Sequence, residues 1–318
     1  MTSENTQKFH AAFSMTRLFN AQGGHLETKG VSPQGNVITV PLHRHHVTLN
    51  IFRVNVGLKY YFNARWMLEA NVPYEIKAQE ATVEELADYP TTPAEMEAIL
   101  RNRDNHHRNE TYTGLTDTDV LLGYNGQGIL RENDFFIASI GTTVPFGKTE
   151  EDPWKLGDRG LEHLHIQFGT GTFNPLADFY YRVPLYANFA ANVSLRGKLP
   201  FYENSKAYRG SRELTYTAGL HYRFTDWLSV HASYLGFYQD YASWAGERDI
   251  NTGLRFSMAS LGTSVATPYD ATLSLTMMLP LQQETLYDDS NAFLDGTYEE
   301  SDAFEFGPLV SLTVLHAF

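Results

Sequence analysis

The sequence predicts an all-β fold, an antiparallel transmembrane β-barrel of twelve strands that forms a single domain over residues 1–318. Three observations predict it. The chain stops on Phe318 after a clean alternation, with Phe304, Phe306, Val310, Leu312, Val314 and Phe318 on one parity and Glu305, Gly307, Ser311, Thr313 and Ala317 on the other. A period of two puts successive side chains on opposite faces of a strand. The connections between alternating segments are short and long by turns. Finally, no run approaches the about 18 apolar residues of a spanning helix, yet 19 Tyr and 20 Phe supply a large aromatic surface at a mean hydropathy of −0.33. A barrel strand crosses in about 10 tilted residues with only alternate positions apolar, so such an average hides it.

Strands are expected near 8–19, 47–62, 65–80, 112–124, 134–147, 164–184, 188–202, 213–224, 228–242, 250–266, 271–285 and 303–318. In the eighth, Leu214, Tyr216, Ala218, Leu220, Tyr222 and Phe224 oppose Thr215, Thr217, Gly219, His221 and Arg223. In the seventh, Phe189, Ala191, Val193, Leu195, Leu199 and Phe201 oppose Asn192, Ser194, Arg196 and Lys198. Both patterns read lipid outside and water inside. The first strand and the long sixth are the least regular, which leaves ten or fourteen strands as alternatives.

Connections after even-numbered strands carry tight-turn chemistry, at Asn63-Ala64-Arg65, Thr225-Asp226 and Thr267-Pro268-Tyr269-Asp270. Those after odd-numbered strands are longer, near 20–46, 81–111, 148–163, 203–212, 243–249 and 286–302. Short periplasmic turns and long outer loops are the rule for outer-membrane barrels, so the alternation places both termini in the periplasm. Trp66 and Trp227 fall beside predicted turns, Trp154 and Trp244 beside predicted loops, as interfacial girdles require. A soluble β-sandwich also has alternating strands, but leaves the terminal Phe and the regular rhythm of connections unexplained. The absence of Cys suits a chain that crosses an oxidising compartment unfolded. Met1-Thr2-Ser3-Glu4-Asn5 is not a basic and apolar export segment, so a removed signal is expected.

On this parity Arg53, Lys59, Lys77, Arg182, Arg196, Lys198, Arg223 and Arg255 point inward, opposed by Glu69, Glu75, Asp117, Asp119 and Glu305. Facing rows of opposite charge order water and select polar solutes in a wide pore; in a narrow barrel they pair and fill it. Twelve strands lie between small filled barrels and open porins of 16–18 strands. Pro73, Pro145, Pro200 and Pro280 also fall on inward positions toward the outer strand ends. Proline lacks a ladder donor, so each either ends pairing at the rim or kinks the wall into a lateral gap, with Pro145 and Pro200 the first candidates.

The predicted outer loops are acidic: Glu84, Glu85, Asp88, Glu95 and Glu97 in the second, Glu150, Glu151, Asp152 and Asp158 in the third, and Asp288, Asp289, Asp295, Glu299, Glu300 and Asp302 in the last. They hold most of the net charge of −13, a field that attracts cations or basic partners, repels nucleic acid and suits calcium bridges to lipopolysaccharide. Thr92-Pro93-Ala94-Glu95 and Thr82-Val83-Glu84-Glu85 have capping-box spacing and predict short helices in the second loop. Eight of 12 histidines, His25, His43, His45, His46, His106, His107, His163 and His165, lie in or beside the first three loops. Imidazoles bind zinc, copper or nickel; His43, His45, His46, His106 and His107 are the candidate ligands, against a reading as ordinary exposed histidines or as contacts to a haem-bearing partner. No resident cofactor is otherwise expected.

The run Gly114-Leu115-Thr116-Asp117-Thr118-Asp119-Val120-Leu121-Leu122-Gly123-Tyr124, with Val144-Pro145-Phe146-Gly147-Lys148 and Phe168-Gly169-Thr170-Gly171-Thr172, resembles the outer-membrane transporters of the meta-pathway phenol degradation family. Those are distant relatives of the fatty-acid and aromatic-hydrocarbon channels. The likeness covers mainly residues 110–200, and the chain has no obvious N-terminal plug of the fatty-acid channel type. A C-terminal strand ending on an aromatic residue also resembles the one that assembles bacterial outer-membrane barrels, with His316 in a usually apolar place. The resemblance implies a Gram-negative outer-membrane location, contact with membrane lipid and lipopolysaccharide, and transport of a small molecule.

Catalysis is not expected. The His-x-Ser-Asn-Gly run of the twelve-stranded outer-membrane phospholipase is absent; His231-Ala232-Ser233 has a base and a nucleophile, both facing inward. No phosphate-binding glycine loop exists. The expected function is passive uptake or export of small solutes, aromatic or hydrophobic ones among them. The alternative is a closed barrel scaffold whose acidic, His-rich outer loops bind a protein partner or metal.

Overall fold

The computed structural model describes residues 8–287 and 303–318, so the predicted acidic run from Asp288 to Asp302 lies outside the described residues. In chain order the elements are β1 (Phe9–Val31), β2 (Val37–Tyr61), β3 (Trp66–Glu85), α1 (Pro93–His106), β4 (Glu110–Leu115), β5 (Thr118–Gln127), β6 (Phe135–Val144), α2 (Pro153–Gly157), β7 (Pro175–Pro184), β8 (Phe189–Lys198), β9 (Tyr208–Arg209), β10 (Glu213–Arg223), β11 (Leu228–Gln239), β12 (Ser243–Trp244), β13 (Glu247–Arg248), β14 (Leu254–Ala266), β15 (Ala271–Thr285) and β16 (Leu309–Ala317).

All barrel pairings are antiparallel. The order β2-β1-β16-β15-β14-β11-β10-β8-β7-β6-β5-β3 closes on itself through a β2–β3 ladder. β4 and β5 lie end to end along β3, meeting it at Tyr74↔Leu115 and Asn71↔Asp119, and act as one stave of twelve. β9, β12 and β13 form a separate small sheet. Closure removes the sheet edges that would leave unpaired backbone groups in lipid.

The turn end is tightly capped. Asn63 accepts from the Arg65 and Trp66 amides, and Asp134 accepts from the amides of Gly128, Ile129, Leu130 and Arg131 and from the Tyr181 hydroxyl at 2.6 Å. The start of β1 and the end of the chain meet there: the Phe318 amide donates to Phe9 O at 2.8 Å. Phe62, Trp66, Phe189, Phe224, Trp227, Tyr269 and Phe318 are exposed around this rim, and Val56, Leu68, Ile140, Leu195, Leu220, Leu261 and Leu275 form an apolar belt above it. Such a continuous outward belt suits hydrocarbon rather than water.

Several boundaries differ from the sequence expectation. The expected first outer loop, 20–46, is mostly strand: β1 and β2 continue to a tight tip at 32–36. With 23 and 25 residues they far exceed the about 9–11 that cross a membrane, so the hairpin rises well past the belt. A register shift between Leu18 and Ala21, with Asn20 at φ 51°, turns the inward parity from even to odd. Thr82 and Glu85 sit within β3, so only the Thr92 box caps a helix; there Thr92 Oγ1 accepts from the Glu95 amide and Glu95 Oε2 from the Thr92 amide. The sixth strand begins at Pro175, because 164–174 folds inward as a loop. Alternation of the last strand stops at Pro308: Phe304 and Phe306 turn onto a core of Leu18, Ala21 and Leu49, and Glu305 is bridged to Gln22 through its backbone. Trp244 is no girdle residue, being buried against Tyr208 in the small sheet.

Candidate functional site

The inner wall carries a ladder of ion pairs set by strand register. Arg53 opposes Glu75 and Lys59 opposes Glu69 across the β2–β3 ladder. Arg53 Nε donates to Glu75 Oε1 at 2.6 Å, Lys77 Nζ lies 3.0 Å from Glu75 Oε2, and Lys59 Nζ lies 3.0 Å from Glu69 Oε2. On β8, Arg196 bridges its β7 neighbour Asp178 at 3.0 Å and Asp119 of β5 at 2.6 Å, and Lys198 pairs with Glu213 opposite it on β10. Five bases, Arg53, Lys59, Lys77, Arg196 and Lys198, thus meet five acids, Glu69, Glu75, Asp119, Asp178 and Glu213. Charges drawn into a confined wall are tolerated when paired and hydrogen-bonded.

Toward the turn end the ladder gives way to a polar cavity of about 210 Å³ lined by Tyr180, Arg182, Asn192, His221, His231 and Ser233. Arg182 Nη2 lies 3.2 Å from His221 Nδ1, and Arg223 lies 3.9 Å from Asp226. His231 Nε2 lies 3.2 Å from Thr276 Oγ1, while Ser233 pairs with Ser260. Neither residue engages the other as base and nucleophile.

Two predicted lumen residues do something else. Arg255 lies opposite Tyr238 on the outward face, where Glu284 binds it; the inward place belongs to Phe256, stacked on Phe237 and meeting Phe306 edge-on. Asp117 sits in the break between β4 and β5 and accepts from the Gly147 amide at 3.1 Å and from the Thr170 amide and hydroxyl, both at 2.8 Å. It therefore ties together the three sequence runs centred on Asp117, Gly147 and Thr170. The Gly147 and Gly169 backbones approach so closely that a Cβ on either would collide.

This junction closes a low stretch of wall above the short strands β6, β7 and β8. Asn174 Nδ2 donates to Thr143 Oγ1 at 2.9 Å and Thr170 Oγ1 at 2.7 Å, and Thr172 Oγ1 meets Asn174 Oδ1 at 2.9 Å, all buried. Pro145 and Pro200 follow the ends of β6 and β8 here. Pro73 lies where β3 changes partner from β5 to β4, its carbonyl accepting from the Thr116 amide at 3.0 Å, and Pro280 abuts the register shift at Ser257/Met258. All four mark irregularities, and hydrogen bonds bridge the wall at Pro73.

The loop-end mouth is covered from within. α1 packs Ala98 and Ile99 on Val40 and Val83 of the raised strands. Residues 163–168 run along the inner face: Ile166 joins the Leu18 core, Lys77 Nζ donates to Gln167 O at 3.1 Å and stands 4.7 Å over the Phe168 ring. Between these segments seven histidines meet. Rings of His25, His43, His45, His106, His107, His163 and His165 are linked by centroid distances of 4.2 to 5.9 Å. Of the predicted set, His43, His45, His106 and His107 are brought together and buried. His46 takes the opposite face of β2 and lies 2.6 Å from Glu84. Strand alternation over His43 and His45 is a sequence signal for this; the arrival of His25, His163 and His165 depends on long-range packing.

Burial first, then the neighbouring His107, His45 and His25, push the pKa of His106 well below 6.5. Burial likewise lowers His43 and His163, against the raising hydrogen bonds to Pro41 O and Leu161 O. Burial thus favours the neutral imidazole at His43, His106 and His163.

No protein-family model matches the chain, and no curated protein matches it. Its structure is similar to that of an outer-membrane channel from Pseudomonas putida F1, at 11% identity and a TM-score of 0.57 over 100% of both chains. The toluene transporters TodX of P. putida and TbuX of Ralstonia pickettii align over 98% of this chain and 90% of theirs, at 6% and 8% identity and TM-scores of 0.44 and 0.42. The first match supports the fold alone, a closed antiparallel β-barrel; the other two are too distant to add to it.

Proposed function

We propose that this chain is a passive outer-membrane channel for small uncharged solutes, aromatic or hydrophobic molecules among them, with its turn end and both termini in the periplasm. The observation that carries the reading is the lumen ladder, in which five bases are matched by five acids. The wall so neutralised along this ladder exerts little net field on a passing ion there, yet keeps polar groups that hold water in place. The apolar belt and aromatic rim favour residence in a bilayer, where membrane lipid and lipopolysaccharide are the expected contacts. The fold it shares with the P. putida F1 outer-membrane channel supports transport rather than catalysis. Proteoliposome swelling tests this: uncharged sugars and phenols of low mass enter faster than size-matched ions if the reading holds, and equal exclusion of all solutes by folded, inserted protein contradicts it.

The second reading, a barrel that presents a binding surface, draws on α1 and residues 163–168 lying across the inner mouth. Swelling that appears only after their removal would favour that reading.

A further inference from the structure

The histidine cluster is built as a metal site. We propose that His25 of β1, His45 of β2, and His106 and His107 at the end of α1 together bind one divalent transition-metal ion of the zinc and copper class, which staples α1 to the raised β1–β2 hairpin. One ring nitrogen from each of the four lies within 4.8 Å of the others. Tetrahedral zinc with nitrogen ligands needs nitrogens about 3.3–3.4 Å apart. His45 Nδ1 and His106 Nε2 already stand at 3.2 Å, so the rest is side-chain adjustment.

The supporting shell is in place. His106 Nδ1 lies 2.7 Å from Asn102 O, one turn back along α1. A carbonyl accepts only, so Nδ1 carries the proton and Nε2 presents its lone pair to the cluster, the orientation that a hydrogen bond from the far ring nitrogen imposes on metal-binding histidines. His43 and His163 have the same arrangement, with Nδ1 at 2.9 Å from Pro41 O and 2.8 Å from Leu161 O. The buried His43 Nε2 meets no hydrogen-bond partner among the described residues. Without a metal, the proton between His45 and His106 belongs to His45 Nδ1; a bound ion takes its place, and His45 then carries its proton on Nε2.

The scaffold is rigid at each ligand. His25 and His45 are direct cross-strand partners. Gly24, at φ 141°, lets β1 press against the His45 carbonyl, where a Cβ would collide. α1 is fixed to the same strands through Ala98 and Ile99. The donor set contains imidazole alone, without carboxylate or thiolate, which selects zinc, copper or nickel and disfavours calcium and magnesium. Glu27 and Glu85, both opposite His43 in the strand ladders, supply nearby negative charge. The site stands whether or not the barrel conducts.

The test is calorimetric titration of the folded, chelator-treated full chain, freed of any oligohistidine tag, with Zn²⁺, Cu²⁺, Ca²⁺ and Mg²⁺. One equivalent of Zn²⁺ or Cu²⁺ binds and neither Ca²⁺ nor Mg²⁺ does; H25A and the H106A/H107A pair lose that binding, while H46A, on the opposite strand face, keeps it. X-ray absorption of the loaded wild-type protein, which needs no variant to fold, shows nitrogen ligands alone at about 2.0–2.1 Å. Absence of stoichiometric binding, an oxygen- or sulfur-dominated shell, or full binding by H25A and H106A/H107A overturns the assignment.

Discussion

Arg196 on β8 reaches Asp119 on β5 past the two strands between them, Nη2 to Oδ2 2.6 Å. The same guanidinium takes Asp178 at 3.0 Å, so one cation holds two carboxylates on separate strands. Register makes pairs of neighbours; this contact spans a chord of the lumen and narrows it.

Charge removal at this point should change ion preference in a set direction. R196A leaves Asp119 and Asp178 facing the lumen without their shared partner, and the channel becomes cation-preferring. D119N with D178N leaves Arg196 unopposed, and preference turns to anions. Reversal potentials under a salt gradient check both signs; shifts in one common direction would contradict the ladder.

The closure above β6–β8 rests on Asn174, which is fully buried among Thr143, Thr170 and Thr172. Asn174→Ala removes the amide that links three buried hydroxyls, those of Thr143, Thr170 and Thr172, at about 1–3 kcal/mol. A lower urea midpoint with an unchanged slope is expected, and a midpoint equal to wild type would show the network to be incidental.

At the turn end, burial raises the Asp134 pKa, but the Tyr181 hydroxyl and the amides of Leu130, Arg131 and Ile129 outweigh it and hold the carboxyl below its ordinary 3.8. A depressed carboxylate stabilises the fold above the unfolded value and loses that contribution as pH falls past it toward the folded one. Wild type therefore exceeds D134N in urea resistance at pH 7, and the gap closes below pH 3.8. A gap independent of pH would remove the carboxylate from the explanation.

The Thr92 box starts the helix that carries His106 and His107. T92A should cost about 1 kcal/mol. Faster amide exchange at Met96 and Ile99 reports it, and unchanged exchange would mean that packing on Val40 and Val83 alone sets the helix.

Much of this architecture is legible in the sequence because period two survives wherever register is unbroken. The staves at Glu213–Arg223 and Phe189–Lys198 lie where the alternation puts them. The reading fails where parity slips. Past the shift at Leu18/Ala21 the inward set moves from even to odd, so a continuing strand reads as a loop. Arg255 shows the opposite error, since a charged residue invites an inward place that Phe256 occupies by stacking. Cross-strand pairs such as Lys59–Glu69, Asp178–Arg196 and Lys198–Glu213 follow from register, whereas Asp119 becomes a partner of Arg196 only once the barrel curves β8 toward β5. Histidines from four separate segments cannot be gathered by spacing, because loop folding alone brings them together.

The most direct test of the central claim is single-channel recording of the folded protein in a planar bilayer under a potassium chloride gradient. The paired lumen predicts small, steady openings with a reversal potential near zero. A strongly ion-selective pore would contradict a neutralised lumen, and silence from protein shown to be inserted would contradict the channel itself.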